Sequence, residues 1–300
     1  MTARFGQVIT AMVSPFAVDG SLDVKAARSL AVHLLDNGSE GLVVCGSTGE
    51  SPTLSHAEKL DLFSNIVEEV GDRATVIAGT GTYDTRETIE LTKEAAERGA
   101  DACLVVTPYY SRPPQNALLA HFAAVADASP VPLIIYDIPA RTGRRVEIPT
   151  MVELAAHESI VAVKDAVGDA VETARLRARL DEAGHTDFEI YSGDDVLLLP
   201  HIAAGAIGVI SVCSHLVGSR IKEVFTRWDA GDTAGAQTAY LELIPLFSTL
   251  MTLTSNPIPL KAALGMLGID AGEPRLPLVP ATSDEATTIR TALEAAGLLS

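Results

Sequence analysis

The sequence is short of cations. Its 300 residues carry 22 lysines and arginines against 39 aspartates and glutamates, a formal net charge of −17 at pH 7. That balance argues against nucleic acid and against anionic membrane surfaces as partners, because both are gripped by excess positive charge. Only six of the cations are lysines. Cysteine is scarcer still: Cys45, Cys103 and Cys213 are odd in number, and each sits in or beside an apolar run. Buried free thiols in a reducing, cytoplasmic compartment are the expectation, not a disulfide framework. The seven histidines show no H-x-H or H-x-x-x-H spacing and there is no Cys-x-x-Cys, so no metal site is expected. No apolar run reaches the length of a membrane span. The opening MTARFGQVITAMVSPF goes straight into a strand-like segment without an A-x-A site, which does not read as a signal peptide. What is abundant is apolar: 47% hydrophobic against 20% charged residues, the balance of a globular chain with a sizeable core.

The apolar residues come in eight short runs: VITAMV from Val8, GLVVC from Gly41, TVIAG from Thr75, ACLVVT from Ala102, PLIIYD from Pro132, IVAVK from Ile160, FEIYS from Phe188 and IGVISV from Ile207. They are apolar on both faces, as strands of a parallel sheet must be. Helical patterns lie between them. In DVKAARSLAVHLLDNG, Val24, Ala27, Ala31, Leu34 and Leu35 recur at helical spacing and the pattern stops at Asn37-Gly38. Ser55-x-x-Glu58 and Asp84-x-x-Glu87 read as capping boxes. Eight strand–helix units without a ninth strand predict a (β/α)8 barrel over residues 1–230; a doubly wound open sheet is the rival. Beyond, residues 231–300 predict a three-helix extension, near 232–252, 257–268 and 283–297, separated by NPIP and GEPRLP. It is too small and too apolar to stand alone, and should pack on the barrel or on a neighbouring subunit.

In such a barrel the carboxyl ends of the strands build the site. Polar groups gather there: GSTGES (Gly46 to Ser51), TPYYSRPP (Thr107 to Pro114), YDIPART (Tyr136 to Thr142), Lys164, and SGDD (Ser192 to Asp195). Lys164 ends a run that reads as a buried strand, whereas Lys25, Lys59, Lys93, Lys222 and Lys261 fall in helical patterns with ordinary polar faces. About one lysine in 2,500 is neutral at pH 7 in water, and burial raises that share by disfavouring the ammonium. A neutral amine facing a carbonyl substrate performs Schiff-base chemistry. The bland reading is a lysine that snorkels to solvent or pairs with Asp165. Tyr136 offers a phenol for proton transfer, or is a core tyrosine. The glycines and adjacent hydroxyls of GSTGES suit a carboxylate cradle, or a plain strand-to-helix turn; it lacks the Gly-Lys-Ser/Thr of a P-loop. GTGTYD from Gly79 is half a dinucleotide fingerprint, but Asp84 stands where the third glycine belongs. Asp194-Asp195 read as a cap for the helix after the seventh strand in preference to metal ligands. Arg141 offers a bidentate grip on a substrate carboxylate, or is a surface arginine.

Together GSTGES, TPYYSRPP, YDIPARTG, VAVKDA, YSGDD, GVISV and SNPIPLKAAL resemble, in order and across nearly the whole chain, the dihydrodipicolinate synthase family of class I pyruvate-dependent aldolases. The resemblance implies a (β/α)8 barrel with a C-terminal helical extension and no cofactor. It also implies condensation of pyruvate with L-aspartate 4-semialdehyde in lysine and diaminopimelate biosynthesis. It implies a Schiff base on Lys164 and a proton relay of Tyr136, Ser47 and Tyr110, the last supplied by a neighbouring subunit of a homotetramer built from two dimers. Thr48 would hold the pyruvate carboxylate, Arg141 the semialdehyde, and Gly193 and Ile210 would line the pocket. Ser47 stands where threonine is usual in the synthases and serine is common in the sialic-acid lyases. Arg141 stands where sugar-acid lyases carry a small or apolar residue. A 2-keto-3-deoxy sugar acid or N-acetylneuraminate lyase is therefore the alternative within the superfamily, and a non-catalytic keto-acid- or lysine-binding barrel the alternative outside it. Asp137 and Asp165 replace the asparagine and glutamate that are commoner in the family. A lysine-effector cleft would involve Ser51, His56, Glu87 and Tyr109, with Lys59 and Tyr83 departing from the residues of lysine-sensitive enzymes. Weak or absent feedback inhibition is the expectation.

Overall fold

The structure, a computed structural model, describes residues 3–299. Its order is β1 (Val8–Ala11), α1 (Val24–Asp36), β2 (Gly41–Val44), α2 (His56–Val70), β3 (Thr75–Gly79), α3 (Thr85–Glu97), β4 (Ala102–Val106), α4 (Gln115–Ala128), β5 (Leu133–Asp137), α5 (Pro139–Thr142) and α6 (Ile148–Ala155). It continues with β6 (Ile160–Asp165), α7 (Ala170–Glu182), β7 (Glu189–Ser192), α8 (Leu198–Ala203), β8 (Gly208–Ser211), α9 (Ser214–Asp229), α10 (Thr233–Thr252), α11 (Ile258–Met266) and α12 (Ser283–Ala295). All neighbouring strands are parallel, and β8 pairs back onto β1 through Val8–Val209 and Thr10–Ser211. The sheet is closed, which removes the doubly wound alternative.

Strand side chains alternate with period two, and both sets are buried. Inward-facing Ile9, Val43, Ile77, Leu104, Ile134, Ala162, Tyr191 and Ile210 fill the barrel. Outward-facing Val44, Val76, Cys103, Val105, Ile135, Val163 and Ile190 meet the helices, where Leu34, Phe63, Leu91, Phe122 and Leu180 cover them. This two-sided burial is why the runs read as continuously apolar. The three cysteines are free and buried, and burial raises the pKa of each thiol.

Local signals close the helices. Ser55 and Glu58 form a reciprocal capping box at α2. At α3 only half of the expected box exists. The Asp84 carboxylate accepts from the Arg86 and Glu87 amides, but the Glu87 carboxylate turns to the Thr82 hydroxyl, 3.4 Å away. A second complete box, Thr282 with Glu285, starts α12. Helix α1 ends at Asn37; Gly38 follows at φ +101°, where a Cβ would lie 2.7 Å from the Ser219 amide.

α10, α11 and α12 share an apolar cluster with α8, α9 and β8, built from Leu198, Phe225, Leu243, Phe247, Ile289 and Leu293 among others. The cluster crosses residue 230 without a break. Among the described residues, no helix is long and apolar enough to cross a membrane.

Candidate active site

The register of the barrel sets Lys164 directly opposite Tyr136 on β5 and Tyr191 on β7. Ala162 points inward, so Lys164, two residues on, does so as well, and Asp165 must point out. The Asp165 carboxylate accepts from the Val167 amide (3.0 Å) and the Thr173 hydroxyl (2.6 Å), on the helix side of the sheet. It therefore does not pair with Lys164, and Lys164 does not snorkel, being 5% exposed. Its Nζ lies 4.4 Å from the centre of the Tyr136 ring. Burial lowers the Lys164 pKa to about 8, the Asp195 charge opposing and the Arg141 charge assisting. At pH 7 about one amine in ten is then neutral.

Burial pushes the Tyr136 phenol up to about 12, against the pull of Arg141 and the neighbouring Ser47 hydroxyl. It keeps its proton at neutral pH and can donate it. Asp137, the next residue, faces outward and is bound to the Val146 amide; burial, with the Asp165 charge adding to it, raises its pKa to about 7.

Above the barrel opens a cavity of about 320 Å3, lined by Ser47, Tyr136 and Arg141 together with Gly46, Val106, Ile138, Thr142 and Asn256. Lys164 is not on its wall, but its Nζ lies over the ring of Tyr136, which is. Thr48, within the Gly46–Ser51 loop, is buried, its hydroxyl accepting from Asn256 Nδ2 at 2.9 Å. Arg141, on α5, is exposed and reaches the Asn256 carbonyl (3.3 Å). Gly193 and Ile210 are not on the cavity wall either. Ile210 is inside the barrel, and the Gly193 amide donates to the Asp165 carbonyl at 2.7 Å, where a Cβ would meet Ala166. Tyr110 is not on the cavity wall; it is 94% exposed, with φ +69°.

Ser51, Lys59 and Tyr109 also line this cavity. Tyr83 packs edge-on against Tyr109, ring centres 5.3 Å apart, and His56 pairs with Glu94 at 2.7 Å. Two lysines read as ordinary surface cations are not so: Lys59 is 8% and Lys261 4% exposed. Each is on a helix face turned inward, which a lone cation in a helical pattern does not disclose. Asp195 also departs from expectation. It does not cap α8, whose N-cap is Leu197; its carboxylate accepts from Ser211 Oγ and from the Val212 and Cys213 amides, tying β7 to the end of β8. Asp194 accepts from the Val196 amide within its own turn. Asn256, which touches both Thr48 and Arg141, escaped sequence reasoning altogether; the motif SNPIPLKAAL contained it, but nothing local tied it to GSTGES. Among the described residues no cluster of His, Cys, Asp or Glu is arranged to hold a metal.

Known proteins resemble this chain over nearly its whole length. The sequence model of the dihydrodipicolinate synthetase family matches residues 4–296. The 4-hydroxy-tetrahydrodipicolinate synthase of Moorella thermoacetica is 50% identical over 297 residues, covering 99% of this chain and 100% of that one. The lysine-bound synthase of Cyanidioschyzon merolae superposes with a TM-score of 0.94 at 43% identity, over 98% of this chain and 99% of that one. The chloride-inhibited, pyruvate-complexed synthase of Acinetobacter baumannii superposes with a TM-score of 0.93 at 38% identity, over 98% and 99%. By full-length sequence, by fold and by the shared motifs, the chain belongs to the dihydrodipicolinate synthetase family.

Proposed function

We propose that Lys164 forms a Schiff base with pyruvate and that the resulting enamine attacks L-aspartate 4-semialdehyde. The activity, 4-hydroxy-tetrahydrodipicolinate synthase, a lyase of lysine biosynthesis, follows from half identity over the full length of curated synthases. The observation that carries the residue assignment is the pairing of a buried Lys164, its pKa lowered to about 8, with a protonated Tyr136 on the adjacent strand. The neutral amine adds to the keto carbon; the oxygen takes one proton from the amine and one from Tyr136 and leaves as water, giving the protonated Schiff base. The Tyr136 phenolate takes a methyl proton, giving the enamine, whose carbon bonds to the aldehyde carbon as the phenol protonates the aldehyde oxygen. Attack by the substrate's own amino group on the imine carbon then closes the ring and returns the Lys164 amine. Thr48 and the Gly46–Ser51 amides hold the pyruvate carboxylate. Arg141, exposed at the cavity mouth, grips the carboxylate of the semialdehyde by its two-pronged geometry.

We assign Tyr110 to the relay of a neighbouring subunit in a homotetramer; its bare ring on a left-handed backbone segment supports a role outside its own barrel. Three buried free thiols support a cytoplasmic location. Treatment with pyruvate and borohydride should add a pyruvate-derived mass to the peptide containing Lys164. Its trapping rate should rise about tenfold from pH 6 to 7 and level off above 8. Label on Lys261 instead, or a rate still climbing at pH 10, would contradict the assignment.

A further inference from the structure

We propose that Glu50, Lys261 and Arg275 form a clamp through which the C-terminal helices position the Gly46–Ser51 loop for pyruvate binding. The proposal rests on the reading of that loop as the carboxylate cradle. The loop begins and ends in strain: Cys45 (φ +58°) and Glu50 (φ +55°) are both left-handed and neither is glycine. Side chains with a Cβ hold this conformation only where the surroundings over-determine it, and such residues cluster at functional sites. The barrel supplies one restraint, the Ser14 hydroxyl donating to the Gly49 carbonyl at 2.6 Å. The others come from the tail, more than 200 residues on. Lys261 Nζ, on α11, lies 2.7 Å from Glu50 Oε1, with the two side chains 2% and 1% exposed. The Arg275 amide donates to Glu50 Oε2 at 2.9 Å. Asn256 Nδ2 holds the Thr48 hydroxyl at 2.9 Å.

The clamp is itself fixed to the barrel. Arg275 donates to the Gly20 carbonyl (2.8 Å), to the Thr53 carbonyl (3.0 Å) and to Glu58, whose carboxyl it holds down to about 2. The ring of Phe16 packs against both cations, 4.2 Å from Lys261 Nζ and 4.1 Å from Arg275 Cζ. A buried ion pair is a poor source of stability, because desolvation offsets its attraction, but it fixes registry well. Here it fixes the backbone that carries Ser47 and Thr48. Glu50 and Lys261 are therefore positioning residues, and the C-terminal extension is part of the site.

The test compares Glu50→Gln, Lys261→Met and Asn256→Ala with the wild type. The last breaks the Thr48 hydrogen bond without leaving a charge unpaired, so it remains informative if the ion-pair variants fold poorly. In protein shown by circular dichroism to be folded, KM for pyruvate should rise tenfold or more and borohydride trapping at Lys164 should slow in proportion. KM for the semialdehyde should move much less. A pair that only fastens the tail would lower the melting temperature and leave both pyruvate readouts within twofold of wild type, and that result would overturn the clamp. Wild-type protein that is not trapped at Lys164 would instead overturn the Schiff-base reading, and the clamp with it.

Discussion

Replacing Lys164 by methionine should abolish activity and make the protein more stable. Methionine keeps the length of the side chain and removes the charge that burial penalises. The Lys164 pKa falls from an ordinary 10.5 to about 8 in the fold. A lysine whose folded pKa is depressed binds its proton more weakly folded than unfolded, so its ammonium destabilises the native state at every pH below the folded value. The penalty is roughly 3 kcal/mol at pH 7. As pH rises through 8 the folded amine becomes neutral while the unfolded one stays charged, and the penalty shrinks to about 1.4 kcal/mol at pH 9.5. Methionine also gives up the contact of the ammonium with the Tyr136 ring, about 0.5–2 kcal/mol. The net gain at pH 7 is then on the order of 1–3 kcal/mol, a few degrees in melting temperature for a chain of this size. Thermal unfolding of both proteins at one protein concentration, at pH 7 and pH 9.5, reads the gain and its decline. A variant less stable than wild type, or a gain that does not fall with pH, would show that Lys164 is well solvated or firmly paired in the fold, contrary to the argument. Stability set aside to hold a reactive group in a hostile place is common at active sites.

Two further outcomes are expected. Arg141→Ala should raise KM for L-aspartate 4-semialdehyde at least tenfold while moving KM for pyruvate little; equal changes would mean that the guanidinium serves mainly to brace the Asn256 carbonyl. Free lysine should inhibit weakly, with half-inhibition well above 1 mM at saturating pyruvate. Lys59 lines the cavity, and its charge would repel a cationic effector there by on the order of 2–3 kcal/mol at roughly 5 Å and an effective dielectric of 20–40. Half-inhibition below 1 mM would show that it does not face the effector.

The barrel was legible because its information is local. Each strand is apolar on both faces, several helices announce their start with a cap or their core face by spacing, and eight evenly spaced units favour a barrel over an open sheet. Lys164 and Tyr136 were legible for the same reason: a polar residue at the carboxyl end of a buried strand stands out against its own neighbours, and parallel register then sets the two side by side. The groups that escaped are those whose meaning depends on distant chain. Lys261 in a helical pattern looks like any exposed lysine until Glu50 is found 2.7 Å from its Nζ. Asn256 looks like a turn residue until it meets Thr48, 208 positions earlier. Asp195 looks like a helix cap until the fold brings it under the amides of Val212 and Cys213. Each of these is a polar side chain buried in one structure and plausible on the surface of many. Burial of a charge costs free energy unless a partner is supplied, so each implies its partner, but the implication can be followed only once the fold has chosen which residues are buried. The polar groups of this cavity therefore come from the strand ends, whereas Lys261 and Asn256, which contact the Gly46–Ser51 loop, come from the tail.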